Sequence, residues 1–301
     1  MKSRISSENH RFSEEGITVI DGLEDILSSF SNRVSLKYGN YSTVRTYRRS
    51  VRDICLYHGC LLDDLELDEI LDYLNFLKER GLSWAKIKLD VAGLKFYYRH
   101  VLHNEVLSES IPYPKEVKSL PKLLSRSELL RLFDGASNPK HRLILRLIYG
   151  SGLRRSELIN LKLTDIETDD GKCRIRINNS KGGKDRYTVL SKKVLEELRT
   201  YYKRNYPETF LFNGQKKGQK MSGGLLRFVV VKAKKRSGIT KPINLHILRH
   251  CFASHALEDG MSIRVLQEVL GHSSIQTTMV YLHVSEVPLE GAFSPLDNIA
   301  E

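Results

Sequence analysis

The sequence predicts a mainly α-helical protein with one small β-sheet, divided between two domains. Three observations lead there. Apolar residues recur at helical spacing from Val19 to about Val106, a stretch with three prolines follows at 108–122, and only residues 172–190 switch to a period of two. A chain of 301 residues is long enough for each domain to bury its own core.

Residues 1–16 are polar and read as a disordered start. The helical domain spans 17–108, with turns expected at "KYGN" (37–40), "YHGC" (57–60) and "ERGL" (79–82). Within it, Val44, Tyr47, Val51 and Ile54 form an apolar helix face, while Arg45, Arg48, Arg49 and Arg52 share another. Four arginines on one face suit consecutive phosphates of a nucleic acid. The alternative is a solvated face balanced by the acids of 63–72, "DDLELDEILD". Pro112, Pro114 and Pro121 mark 109–122 as a semi-rigid linker.

The second domain, 123–283, opens with Ser125 as a helix N-cap and Glu128 completing a capping box, followed by a largely buried helix at 139–149. Cys173, Ile175 and Ile177 alternate with Arg174, Arg176 and Asn178 before "NSKGGK" turns the chain into "DRYTVL", a hairpin with Lys181 at its tip. Helices are expected at 191–205, 222–236, 244–259 and 262–271, the last ended by Gly271. Residues 284–301 form a tail broken by Pro288, Gly291 and Pro295, yet carrying Val287, Leu289, Phe293, Leu296 and Ile299.

Composition narrows the function. The formal net charge is +12, which favours a polyanionic partner. Residues 1–108 hold 15 Lys/Arg against 16 Asp/Glu, a net of −1, and residues 109–301 hold 33 against 20, a net of +13, which together give the +12. The four cysteines show neither a C-x-x-C pair nor metal-ligand spacing, and fit free thiols in a reducing compartment. The N-terminus lacks an apolar signal region, and no apolar run approaches a membrane span, so a cytoplasmic protein is expected.

The chemistry concentrates in the second domain. Arg154 stands in "GSGLRRSEL", Lys181 in "NNSKGGKDRY", His246 and Arg249 in "NLHILRH", His272 in "LLGHSSI" and Tyr281 in "TTMVYLHV". Guanidiniums, an ammonium and imidazoles bind a phosphodiester and neutralise its developing charge, and a phenol supplies an oxygen nucleophile. No carboxylate cluster accompanies them, so a two-metal arrangement for cutting DNA is not expected. His246, His250 and His255 lack the glutamate of an H-E-x-x-H zinc site. No cofactor or metal is therefore expected.

In this order and these local contexts, the six residues resemble the tyrosine recombinases of the phage integrase family. The resemblance implies a helical, SAM-like core-binding domain followed by a mixed α+β catalytic domain, closed around duplex DNA as a clamp. It assigns Arg154 and Arg249 to the scissile phosphate, with Arg155 the competitor for the role of Arg154 and Glu157 holding the site from behind. Lys181, or Lys184 beside it, protonates the leaving 5′ oxygen. His246 accepts the tyrosine proton or bonds a phosphate oxygen, His272 donates to the phosphate, and Tyr281 attacks it. The implied reaction passes through a covalent 3′-phosphotyrosyl intermediate and a Holliday junction, in a homotetramer at synapsis whose tail docks on a neighbouring protomer. The tail's "SPLDNI" resembles that of integron integrases. The interval from Lys181 to His246 leaves no room for their helical insertion, which favours an Xer-like or transposon-borne enzyme. Two rivals remain: a type IB topoisomerase, and a DNA-binding regulator that has lost catalysis.

Overall fold

Glycines end the first two helices where the sequence places its turns. In the computed structural model, α1 (Leu23–Tyr38) stops at Gly39 and α2 (Tyr41–His58) at Gly59, both left-handed. The described residues are 20–115, 122–169, 172–178, 185–283 and 285. They belong to two units, Met1–Lys118 and Ser119–Glu301.

The N-terminal unit continues with α3 (Leu67–Glu79), α4 (Trp84–His100) and α5 (Glu105–Ser110). Asn40, Ser83 and Asn104 cap the N-termini of α2, α4 and α5 by accepting first-turn amide hydrogens. Phe30, Val51, Ile54, Leu94 and Tyr97 have no exposed surface and form one core. The start of the proline-bearing stretch is held against this unit. Ser108 and Ile111 are buried, Lys95 donates to the Ile111 carbonyl at 2.9 Å, and Trp84 donates to the Pro114 carbonyl at 2.6 Å. Ile111 packs into the same core as Leu94 and Tyr97.

The C-terminal unit runs α6 (Arg126–Gly135), α7 (Pro139–Ser151), α8 (Arg155–Asn160), β1 (Ile166–Glu167), β2 (Arg174–Ile177), β3 (Arg186–Val189), α9 (Lys192–Asn205), α10 (Gly223–Ser237), α11 (Leu245–Glu258), α12 (Ile263–Leu270) and α13 (Gln276–Met279), then a 3-10 turn at Val280–His283. The Ser125–Glu128 capping box forms as its spacing requires. The strands pair antiparallel in the order β1-β2-β3, with Ile175 opposite Thr188 and Ile177 opposite Arg186. β1, two residues long, is too short to show a period in sequence. Leu248, Cys251 and Ala253 of α11 are wholly buried, and no exposed polar stripe runs along its middle. A helix buried on nearly every side belongs at a domain centre whatever polar groups it carries inward, and α11, with Arg249, Ser254 and His255 among its buried residues, packs there against α7. No described helix is long and apolar enough to cross a membrane.

Candidate active site

Glu157 is the hub of the site. Its side chain is 7% exposed, and its oxygens accept from the Arg154 guanidinium at 2.7 Å, from the Arg154 amide at 2.8 Å, and from both terminal nitrogens of Arg186 at 2.8 and 2.9 Å. Burial pushes its pKa up, but the Arg186 and Arg154 hydrogen bonds and charge outweigh that and hold it below the usual carboxylate range. Arg154 sits at the N-cap of α8, so its backbone is extended and its side chain turns inward. Arg155, one residue on, lies instead against Gly223 at the start of α10.

Two helix ends receive the arginines. Arg249 of α11 is 1% exposed and donates to the carbonyls of Gly152, where α7 ends, at 2.7 Å, and Leu270, the last residue of α12, at 2.6 Å. Arg154 donates to the carbonyl of Gly271 at 2.8 Å. Terminal helix carbonyls lack intrahelical donors and sit at the negative end of the helix dipole, so cations suit them. Gly152 and Gly271 hold φ of +60° and +62°, and an added Cβ would stand 2.5 Å from Phe252 Cδ1 and from Arg186 Cδ respectively. Both positions need glycine. Burial, then Arg154, lower the Arg249 pKa to about 10, still well above neutrality.

The imidazoles and the phenol gather beside these guanidiniums. His272 Nε2 lies 3.2 Å from Arg249 and its Nδ1 2.9 Å from the Thr278 hydroxyl. Its ring stacks on that of Tyr281, 11° from parallel at 6.4 Å. Tyr281 is 3% exposed, and its hydroxyl is 2.8 Å from His250 Nδ1. His246 contacts the His250 ring at 4.4 Å, one turn earlier on α11. Burial, then neighbouring cations, push His272 down to about 4, and burial, His246 and Arg249 do the same to His250. His246 is lowered too, by desolvation, Arg249 and Arg154. Burial raises the Tyr281 phenol against the opposing pull of Arg249 and Arg154.

The fold thus brings together five of the six residues that the sequence names: Arg154, His246, Arg249, His272 and Tyr281. Lys181, with Lys184, lies outside the described residues, as do 1–16 and nearly all of the tail after His283. Sequence reasoning missed two residues. Arg186 falls on the same side of β3 as buried Thr188, and a charge on a strand's inward face was the available signal. His250 follows His246 by four residues on the same helix, and it is this histidine that meets the Tyr281 hydroxyl.

The arginine face of α2 is also laid out as its spacing requires. Arg45, Arg48, Arg49 and Arg52 line a groove of about 680 Å³ together with Lys86. The acids that partner it are not those of 63–72. Arg48 pairs with Glu24, and Arg49 and Arg52 pair with Asp53 at 3.1 and 3.0 Å.

Residues 119–287 match the model of the phage integrase family, and residues 26–107 match the phage integrase N-terminal SAM-like domain. The chain belongs to the phage integrase family. It is a tyrosine recombinase, an enzyme of DNA strand transfer that acts in site-specific recombination. Its relatives include the tyrosine recombinase XerA of Pyrococcus horikoshii, 34% identical over 89% of this chain and 92% of that protein. Tyrosine recombinase XerD of Listeria monocytogenes is 30% identical over 90% and 98%. A lambda integrase dimer bound to a COC′ core site shares the recombinase fold at a TM-score of 0.71, with 21% identity over 90% of this chain and 97% of that one. The topoisomerase and inactive-regulator readings are not favoured.

Proposed function

We propose that this recombinase cuts one DNA strand through Tyr281, holds the 3′ end as a phosphotyrosyl ester, exchanges strands with a second duplex through a Holliday junction, and religates. The carrying observation is the burial of the Tyr281 hydroxyl in the same cluster as Arg154, Arg249 and His272. The two guanidiniums grip the non-bridging oxygens of the scissile phosphate. His272 donates a further hydrogen bond from Nε2 once Arg249 turns from that nitrogen to the phosphate and the nitrogen carries the hydrogen. His246 lies at the edge of the same cluster, where it bonds a phosphate oxygen. Lys181 protonates the departing 5′ oxygen, a role that rests on its place in "SKGGK". The ester conserves the energy of the broken bond, so religation needs no nucleotide cofactor, and fixed cations do the work that bound metals do elsewhere.

In this reading residues 17–108 form the core-binding domain and 123–283 the catalytic domain, joined by the linker 109–122. Arg45, Arg48, Arg49 and Arg52 contact backbone phosphates, exchanging Glu24 and Asp53 for DNA. Synapsis of two duplexes requires four protomers, and the tail 284–301 docks on the adjacent one. The enzyme works on double-stranded DNA in the cytoplasm.

Tyr281→Phe removes only the hydroxyl, so it leaves DNA binding near the parental level and abolishes the covalent protein–DNA adduct on a nicked substrate. A stable adduct in that variant reassigns the nucleophile. Cleavage by the parental protein proceeds in EDTA, and activity that magnesium alone restores would overturn the metal-free mechanism.

A further inference from the structure

The Tyr281 hydroxyl must lose its proton as it attacks, and three histidines lie close enough to be considered. His272 has both ring nitrogens engaged, by Arg249 at 3.2 Å and Thr278 at 2.9 Å. His246 reaches the cluster through ring contact with His250 at 4.4 Å. His250 alone among the three is hydrogen-bonded to the hydroxyl, Nδ1 to Oη at 2.8 Å, well within reach of proton transfer. With its hydrogen on Nε2, His250 presents a lone pair to the phenol.

We propose that His250 is a catalytic residue of this chain, the group that accepts the Tyr281 proton during strand cleavage. This rests on the reading of Tyr281 as nucleophile. In the step the Tyr281 O–H bond breaks and its proton passes to His250 Nδ1. The Oη–phosphorus bond forms, the phosphorus–O5′ bond breaks, and the 5′ oxygen leaves with its electron pair and takes a proton from Lys181. Religation runs the same transfers backwards, returning the proton from His250 to the phenol.

The surroundings suit the assignment. Burial, then His246 and Arg249, push His250 down to about 4, so it is neutral and able to accept at physiological pH. The groups facing it are His246 and Arg249 on its own helix and Tyr281 from the 3-10 turn, with His272 beyond the tyrosine ring. A phosphate seated between Arg154 and Arg249 adds negative charge beside those cations and makes His250 a stronger base. Substrate binding thereby switches on the proton acceptor.

The test compares adduct formation in single turnovers on a nicked duplex, with the full-length protein, His250→Ala and His250→Asn. Each is made with tyrosine or the more acidic 3-fluorotyrosine at position 281. Asparagine keeps a hydrogen-bond acceptor near Nδ1 but takes no proton. Both variants are expected to bind duplex normally and to form the adduct on the order of 10²–10⁴-fold more slowly. Fluorotyrosine then recovers about ten-fold or more in the variants and little in the parental protein, because a more acidic phenol has less need of a base. Parental rates in His250→Asn reduce His250 to a positioning residue, and slow cleavage that fluorotyrosine does not recover makes its role structural. Either result overturns the proposal. Should His250→Ala fail to fold, the asparagine variant and the fluorotyrosine comparison decide alone. An adduct in Tyr281→Phe would instead refute the underlying assignment of the nucleophile.

Discussion

Replacing Glu157 with alanine removes the acceptor that two guanidiniums share. Arg154 loses its partners at 2.7 and 2.8 Å, and Arg186, 9% exposed, loses its pair at 2.8 and 2.9 Å while keeping, among the described residues, only the Val269 carbonyl. Breaking a buried ion pair by deleting one partner costs about 3–5 kcal/mol, against a total domain stability of roughly 5–15 kcal/mol. Glu157→Gln keeps the shape and one acceptor but converts charge-assisted bonds to neutral ones, for an intermediate loss of about 1–2 kcal/mol. Urea titrations of the full chain measure these losses. Glu157→Ala combined with Arg186→Met should cost less than the sum of the single changes by at least about 1 kcal/mol, because the orphaned cation is gone. Cleavage falls further than stability, since among the described residues Arg154 keeps only the Gly271 carbonyl to aim it. The folded-state pKa of Glu157 lies below its unfolded value. Its contribution is therefore present above about pH 4.3 and is lost as pH falls through the lower folded value, and Glu157→Gln removes that acid limb. A loss under about 1 kcal/mol in Glu157→Ala, or strict additivity with Arg186→Met, would refute the hub.

Three other outcomes follow from the geometry, and a fourth from the sequence context of Lys181. Gly152→Ala meets Phe252 at 2.5 Å with φ at +60°, so unfolding should shift by about 1–3 kcal/mol, and a parental Tm refutes that. His250 and His272 titrate near 4 in the folded chain, below the unfolded value. Folding stability therefore declines as pH drops from about 6.5 toward 4, and imidazole NMR titrations that centre near 6.5 contradict the burial argument. Arg48→Ala with Arg52→Ala should weaken binding to every duplex and make the salt slope shallower by up to ~2, whereas an unchanged slope leaves those arginines to Glu24 and Asp53. Lys181→Ala should slow cleavage of normal DNA strongly and that of a 5′-thio substrate little, since a thiolate leaves without protonation. Equal slowing on both denies Lys181 the role of acid.

Local signals in the sequence carried far. Ser125 caps its helix as its spacing to Glu128 indicates, the turns at 37–40 and 57–60 fall at Gly39 and Gly59, Gly271 ends α12, and the alternation through Ile175 and Ile177 becomes β2. What stayed hidden depended on distance along the chain. Ile111 is buried because α4 passes beside it, which no window around three prolines reveals. Glu24 meets Arg48 across two helices, so the acids of 63–72 looked better placed than they are. The site divides in the same manner. Motif order gathers Arg154, Arg249, His272 and Tyr281, whereas Arg186 joins through strand pairing and His250 through a single turn of α11. Partner choice for the Tyr281 hydroxyl, His250 rather than His246, is decided by side-chain geometry that residue order does not encode.

Arg249 ties the ends of α7 and α12 together, and this makes the position answer to two masters. In the proposed reaction its guanidinium grips the phosphate, and in the folded domain the same group closes two helix termini. Tyr281 has no comparable second duty, since a phenylalanine would fill its buried place. Were a lineage of this chain to give up strand cleavage and keep only its hold on DNA, the phenol would be free to drift at once. The guanidinium would persist as a relic of the lost chemistry, still closing the helices it had always closed.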